Sequence, residues 1–197
     1  MSKDKPSSRI KVKSNAGNVK ISHKWTIIVT FWAFVLTVLI GMLTLKSEAI
    51  GLGTAFVFLI ALILIGILFD IIGIAVSTAS ESPFNSMAAK KIVGARESVD
   101  IIRHAQQISS FCNDVIGDIA GIVSGAMTAV IVAKIALDLN SNLTAVNLVL
   151  TGIVSALMIG GKAGGKGLAM LHNNSIVFVI GKVLYFIKHP FQKNGNA

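Results

Sequence analysis

Three observations predict an all-α, polytopic membrane protein. Hydrophobic residues make up 53% of the 197-residue chain and charged residues only 14%, where a soluble domain carries about a quarter. The apolar residues are gathered into runs of roughly 20, the length a helix needs to cross the hydrocarbon layer. Sixteen of the 18 basic residues behind the formal charge of +9 lie in the first 24 positions, in one loop and after residue 160. They have no aromatic interleaving, so they read as topology determinants and contacts for anionic lipid headgroups, and nucleic-acid binding is excluded. The single Cys112 rules out an intramolecular disulfide and reads as a small buried apolar side chain.

Residues 1–24 form a basic tail, with Lys3, Lys5, Arg9, Lys11, Lys13, Lys20 and Lys24 against Asp4. The apolar run that follows is too long for the core of a signal peptide and has no A-x-A cleavage site, so the tail is expected to be retained in the cytoplasm. From there to residue 190 a single transmembrane domain is expected. Its first span, about 25–45, contains no ionisable residue and begins with Trp25 at the interfacial aromatic belt. The second span covers about 52–77, the third 115–137 and the fourth 145–160. The loops KSEAIG and DLNSN are short and nearly neutral, while the loop after span two carries Lys90, Lys91, Arg96 and Arg103. The positive-inside rule therefore predicts four spans in the inner (plasma) membrane with both termini cytoplasmic. Residues 84–110 mix apolar and basic positions at helical spacing, which predicts one or two amphipathic surface helices. The glycine run GGKAGGKG after residue 159 is expected to interrupt the helix. A last apolar segment, 176–187, is too short to cross and is expected to lie as a half-buried juxtamembrane helix before a polar tail at 191–197.

Carboxylates inside apolar runs carry the functional signal. Asp70 lies about seven residues before the end of span two, so it is placed well within the bilayer. Putting an ionisable group there costs roughly 3 kcal/mol or more, which is why such residues face a bundle interior, water or an ion. Ser77, Thr78, Ser80 and Ser82 follow, offering hydroxyl oxygens that suit a hard cation or hydrogen bonding between helices. Asp114 and Asp118 share one helix face at i, i+4; Asp114 reads as a helix N-cap and Asp118 as a pocket residue. Gly117, Gly121 and Gly125 form a small-residue strip for close helix packing within the bundle or between two copies. GGKAGGK lacks the spacing of a phosphate loop, the four histidines have no metal-ligand spacing and no nucleophile stands with a base. No enzyme and no resident cofactor are expected.

These residues resemble the transmembrane domain of the CorB/CorC (cyclin-M) family of magnesium and cobalt transport proteins. AVSTASESPFNSMA (75–88) is similar to the hydroxyl-rich end of a span in that family. IGD (116–118) stands for its Ile-Gly-Asn, and GKAGGKGLA (161–169) for its Gly-Glu-Ile-x-Pro-Lys segment. The resemblance covers roughly residues 55–190, without the family's cytoplasmic CBS-pair and C-terminal domains. It implies a homodimer that transports a divalent cation, magnesium or cobalt. By position it gives Thr78, Ser80 and Asp118 the ion-pocket role, beside Asp70. Lys162 takes the place of the family's acidic residue, where a lysine can act as a tethered positive charge in place of the ion. That departure opens the second expectation, a non-transporting membrane adaptor that keeps the fold.

Overall fold

The computed structural model describes residues 23–46, 51–139 and 142–189. The expected basic tail up to residue 22, the interfacial setting of the Trp25 side chain, the loop tips at 47–50 and 140–141 and the polar C-terminal tail lie outside the described residues. Helices α1 (His23–Lys46), α2 (Leu52–Thr78), α3 (Glu81–Ala89), α4 (Ala95–Arg103) and α5 (Ala105–Ser110) come first. A π-helical segment, Phe111–Gly117, then joins α5 to α6 (Asp118–Leu139), and α7 (Leu143–Leu171) and α8 (Asn173–Lys188) follow. No strand occurs among the described residues.

Among the described residues, three helical stretches are long and apolar enough to cross a membrane: α2, the continuous run Ala105–Leu137, and α7. Helix α1 carries a shorter apolar stretch, Thr26–Met42. With no water in the hydrocarbon to satisfy the backbone, each crossing must keep its own hydrogen bonds, and a helix does so.

Helix α2 is the axis of the bundle. Its buried residues Ala55, Leu59, Leu62, Ile63, Gly66, Asp70 and Gly73 recur every three or four positions and make one stripe. Leu59 and Ile63 meet Met127 and Ile131 of α6 and Val154 and Met158 of α7 at one end. Leu62 meets Val115, Ile119 and Val123, a group to which α1 adds Val29, Ala33, Leu36 and Ile40. The other face of α2, with Val57, Ile60, Leu64 and Leu68, is exposed as lipid contact requires.

At the end where α2 finishes, the short helices close the bundle. Phe84 of α3, Val99 and Ile101 of α4 and Val177 of α8 bury Val76. Helices α4 and α8 cross closely, because Gly94 and Gly181 face each other's backbones. A Cβ on Gly94 would stand 2.7 Å from the Lys182 nitrogen, and one on Gly181 2.5 Å from the Gly94 carbonyl oxygen. Gly94 also has φ of 85°, a left-handed conformation suited to glycine. Ser98 completes the crossing by donating its hydroxyl to the Val177 carbonyl of α8 at 3.4 Å.

Three expectations are corrected here. The glycine run does not interrupt the helix: α7 continues through it to Leu171. Each glycine costs up to about 1 kcal/mol of helix propensity, but Gly161 and Gly165 lie against Ile67 and Ile71 of α2, where any Cβ would collide. Close packing holds this stretch of the helix against α2. The amphipathic stretch is divided into three short helices, the last of which is continuous with the next crossing helix. Asp114 does not cap a helix start, since the chain is already helical from Ala105 onward.

Candidate functional site

Asp70 and Lys162 meet inside the bundle. The aspartate lies on the buried stripe of α2, and α7 brings the Lys162 ammonium to 3.9 Å from Asp70 Oδ1. The side chains are 10% and 23% exposed respectively. At that separation the contact is an ion pair and is longer than a hydrogen bond. Its approach depends on the glycines: Gly161 and Gly165 seat α7 against Ile67 and Ile71, and Lys162 is carried between them on the same helix.

The π segment forms the third wall. A Cβ on Gly117 would lie 3.3 Å from Lys162 Nζ, 3.5 Å from the Cys112 carbonyl oxygen and 4.0 Å from Asp70 Oδ1. The absence of a side chain there leaves room for the pair. Asn113, one turn earlier, presses its amide into the space that Gly73 leaves on α2. Two buried acceptors, Asp70 Oδ2 and Asn113 Oδ1, have no hydrogen-bond partner among the described residues. Leaving such atoms unpaired costs roughly 1–3 kcal/mol each, so a proton, water or cation beside them would be stabilising. Widened π turns within α-helices are rare and recur at functional sites.

One turn further along α6, the groove between α6 and α7 becomes hydroxylic. Gly121, Ser124 and Thr128 face Thr151 and Ser155 around a cavity of 170 Å³. Thr128 donates to the Ser124 carbonyl at 2.7 Å, while the buried Ser124 hydroxyl has no partner among the described residues.

Of the four predicted site residues, only Asp70 lies in this centre. Thr78 and Ser80 are two turns or more away, about 12 Å along α2 for Thr78, and both are exposed. The Thr78 hydroxyl donates to the Ile74 carbonyl at 2.8 Å. The Asn173 side-chain amide donates to the Thr78 carbonyl at 2.9 Å, and the Ser80 amide donates to Asn174 Oδ1 at 3.3 Å. These residues tie the end of α2 to the start of α8. Asp118 and Asp114 are exposed on the outer face of their helix and do not join Asp70. Among the described residues no group of three or more His, Cys, Asp and Glu side chains is arranged to hold a metal ion.

Asn113 is the site residue that the sequence reading missed. Its spacing of four from Gly117 and eight from Gly121 was the available signal, because it places an amide on the glycine face of the helix. No protein-family model, curated protein or solved structure matches the chain.

Proposed function

We propose that the protein transports a cation across a membrane, with Asp70 as the internal anionic site and Lys162 as a tethered cation that occupies it between transport events. The buried Asp70–Lys162 pair beside two unpartnered acceptors carries this reading. Together the pair is neutral. A divalent ion entering with Lys162 in place would leave two uncompensated charges in a medium of low dielectric, which is strongly unfavourable. The lysine must therefore swing aside as the ion enters, and its long flexible stem and partial exposure allow that. A magnesium ion keeps several of its waters and needs only one or two carboxylates. Asp70 and Asn113 Oδ1 would meet such a hydrated ion, and the hydroxyl groove of α6 and α7 offers its route. Magnesium or cobalt is the substrate class, in line with the likeness to CorB/CorC proteins.

The same proposal takes α1 as a fourth span, places both termini and the α3–α5 helices in the cytoplasm, and pairs two copies. The exposed α7 face bearing Gly152, Gly160, Gly164 and Gly167 is open for such a contact, since a Cβ at any of them would touch nothing. The second reading is the adaptor, in which the pair is a permanent tie and nothing is carried. The neutral pair and the outward placement of Asp118 favour it.

Magnesium flux into proteoliposomes separates the two. The transporter reading expects flux in the natural protein, none in Asp70→Asn, and a lower apparent KM in Lys162→Gln because the internal competitor is gone. Silence in all three, with each variant folded, refutes transport and leaves the adaptor.

A further inference from the structure

A second polar cavity lies away from the Asp70 centre, where the α3–α4 turn and the start of α4 meet the last turn of α8. Its volume is 290 Å³, and Lys91, Arg96, Glu97, Tyr185 and His189 supply its polar lining. Two full cations face one carboxylate, so the cavity is net positive with the imidazole neutral and more so with it charged. His189 is fixed in place: its ring stacks on Tyr185 with centroids 4.7 Å apart. Its Nδ1 lies 3.2 Å from the Tyr185 carbonyl oxygen, an arrangement that puts the proton on Nδ1.

Lys91 has φ of 57°, the one left-handed residue other than glycine among those described. It follows the end of α3, where its amide donates to the Ala88 carbonyl at 3.0 Å and the Ile92 amide donates to the Met87 carbonyl at 3.1 Å. Glycine or asparagine usually takes that position because a Cβ there is strained. A lysine at this turn keeps a charge at the cavity at the expense of local conformational energy, and such strain gathers at functional sites.

The surroundings are apolar. Ile92 and Val93 line the same cavity and are 39% and 43% exposed. Helix α8 begins directly after the crossing helix α7, and α4 packs upon it. The cavity therefore stands at the end of the bundle where α2 and α7 finish. A small soluble anion has no use for the apolar flank, whereas an amphiphile meets both halves.

We propose that this cavity seats the phosphate of an anionic phospholipid, held by Lys91 and Arg96, with its acyl chains along Ile92 and Val93. The test is native mass spectrometry of the full chain taken from nanodiscs of phosphatidylglycerol or of phosphatidylcholine. Retention is compared with that of Lys91→Gly/Arg96→Gln, whose glycine suits the left-handed turn and keeps the fold. The natural protein is expected to retain one phosphatidylglycerol per chain at least tenfold more than phosphatidylcholine, and the variant to lose that preference. Equal retention by the variant would overturn the proposal. So would displacement of the lipid by millimolar inorganic phosphate alone, which would make the cavity a site for a free anion.

Discussion

Among the described residues Asp70 is the acidic residue that is buried, and its cation reaches it from another helix. Removing one member of a buried ion pair leaves the other charge uncompensated, typically at a cost of 3–5 kcal/mol, whereas removing both is far cheaper. Lys162→Met is therefore expected to destabilise the protein by about 3 kcal/mol, and Asp70→Asn/Lys162→Met by less than half of that. Unfolding titrations of the two single variants and the double variant close the cycle; additive losses would mean that the pair is uncoupled. By contrast, the Arg103–Glu81 pair at 3.1 Å has side chains 60% and 38% exposed. Arg103→Ala should cost less than about 1 kcal/mol in the same measurement, since surface pairs are screened by water and salt.

Helix α7 keeps its course because glycine permits contact that any larger residue forbids. Gly165 lies against Ile71, while a Cβ on Gly164, its neighbour in sequence, would touch nothing. Gly165→Val is expected to lose about 1–3 kcal/mol through overpacking and to recover part of it with Ile71→Ala. Gly164→Ala is expected to gain up to about 1 kcal/mol from helix propensity alone. Thermal unfolding in detergent tests both signs. If Gly164→Ala proved as harmful as Gly165→Val, the α2–α7 contact would not be what sets the glycine requirement. The π segment acts at the same scale. Its wide turn sets Asn113 and Gly117 against α2 and α7, and it lets the short helix α5 run on into α6 without a break.

Among the described residues, the short helices with Lys90, Lys91, Arg96 and Arg103 lie at the end where α2 finishes, and the end of α6 and start of α7 lie at the other. Single cysteines in a Cys112→Ser background test the proposed orientation. In intact cells, a membrane-impermeant thiol reagent is expected to label Thr144→Cys at the start of α7. It should reach Lys90→Cys, on the α3–α4 turn, only after the membrane is opened. The reverse pattern would invert the molecule and place the tethered lysine's exit on the other side.

What the sequence determined by itself was the class of the protein and the peculiarity of two residues. Runs of apolar side chains specify crossing helices locally, because lipid leaves the backbone no partner but itself. An aspartate within such a run announces a site for the same reason of solvation. The proposed resemblance to a transport family singles out Lys162 as a charge of the wrong sign for its position. Which residues share that site was a different matter. Thr78, Ser80 and Asp118 follow Asp70 closely in sequence or in motif, yet helix rotation and length turn Asp118 outward and carry Thr78 and Ser80 to the α8 junction. Lys162 reaches Asp70 from 92 positions away and Asn113 reaches Gly73, one turn along α2, from 40 positions away, brought there by glycines whose packing partners lie on another helix. Periodicity records which face of a helix is apolar, but the partner of a buried charge is set by how helices cross. Only the tertiary structure decided that, through contacts between residues with no local relation in the chain.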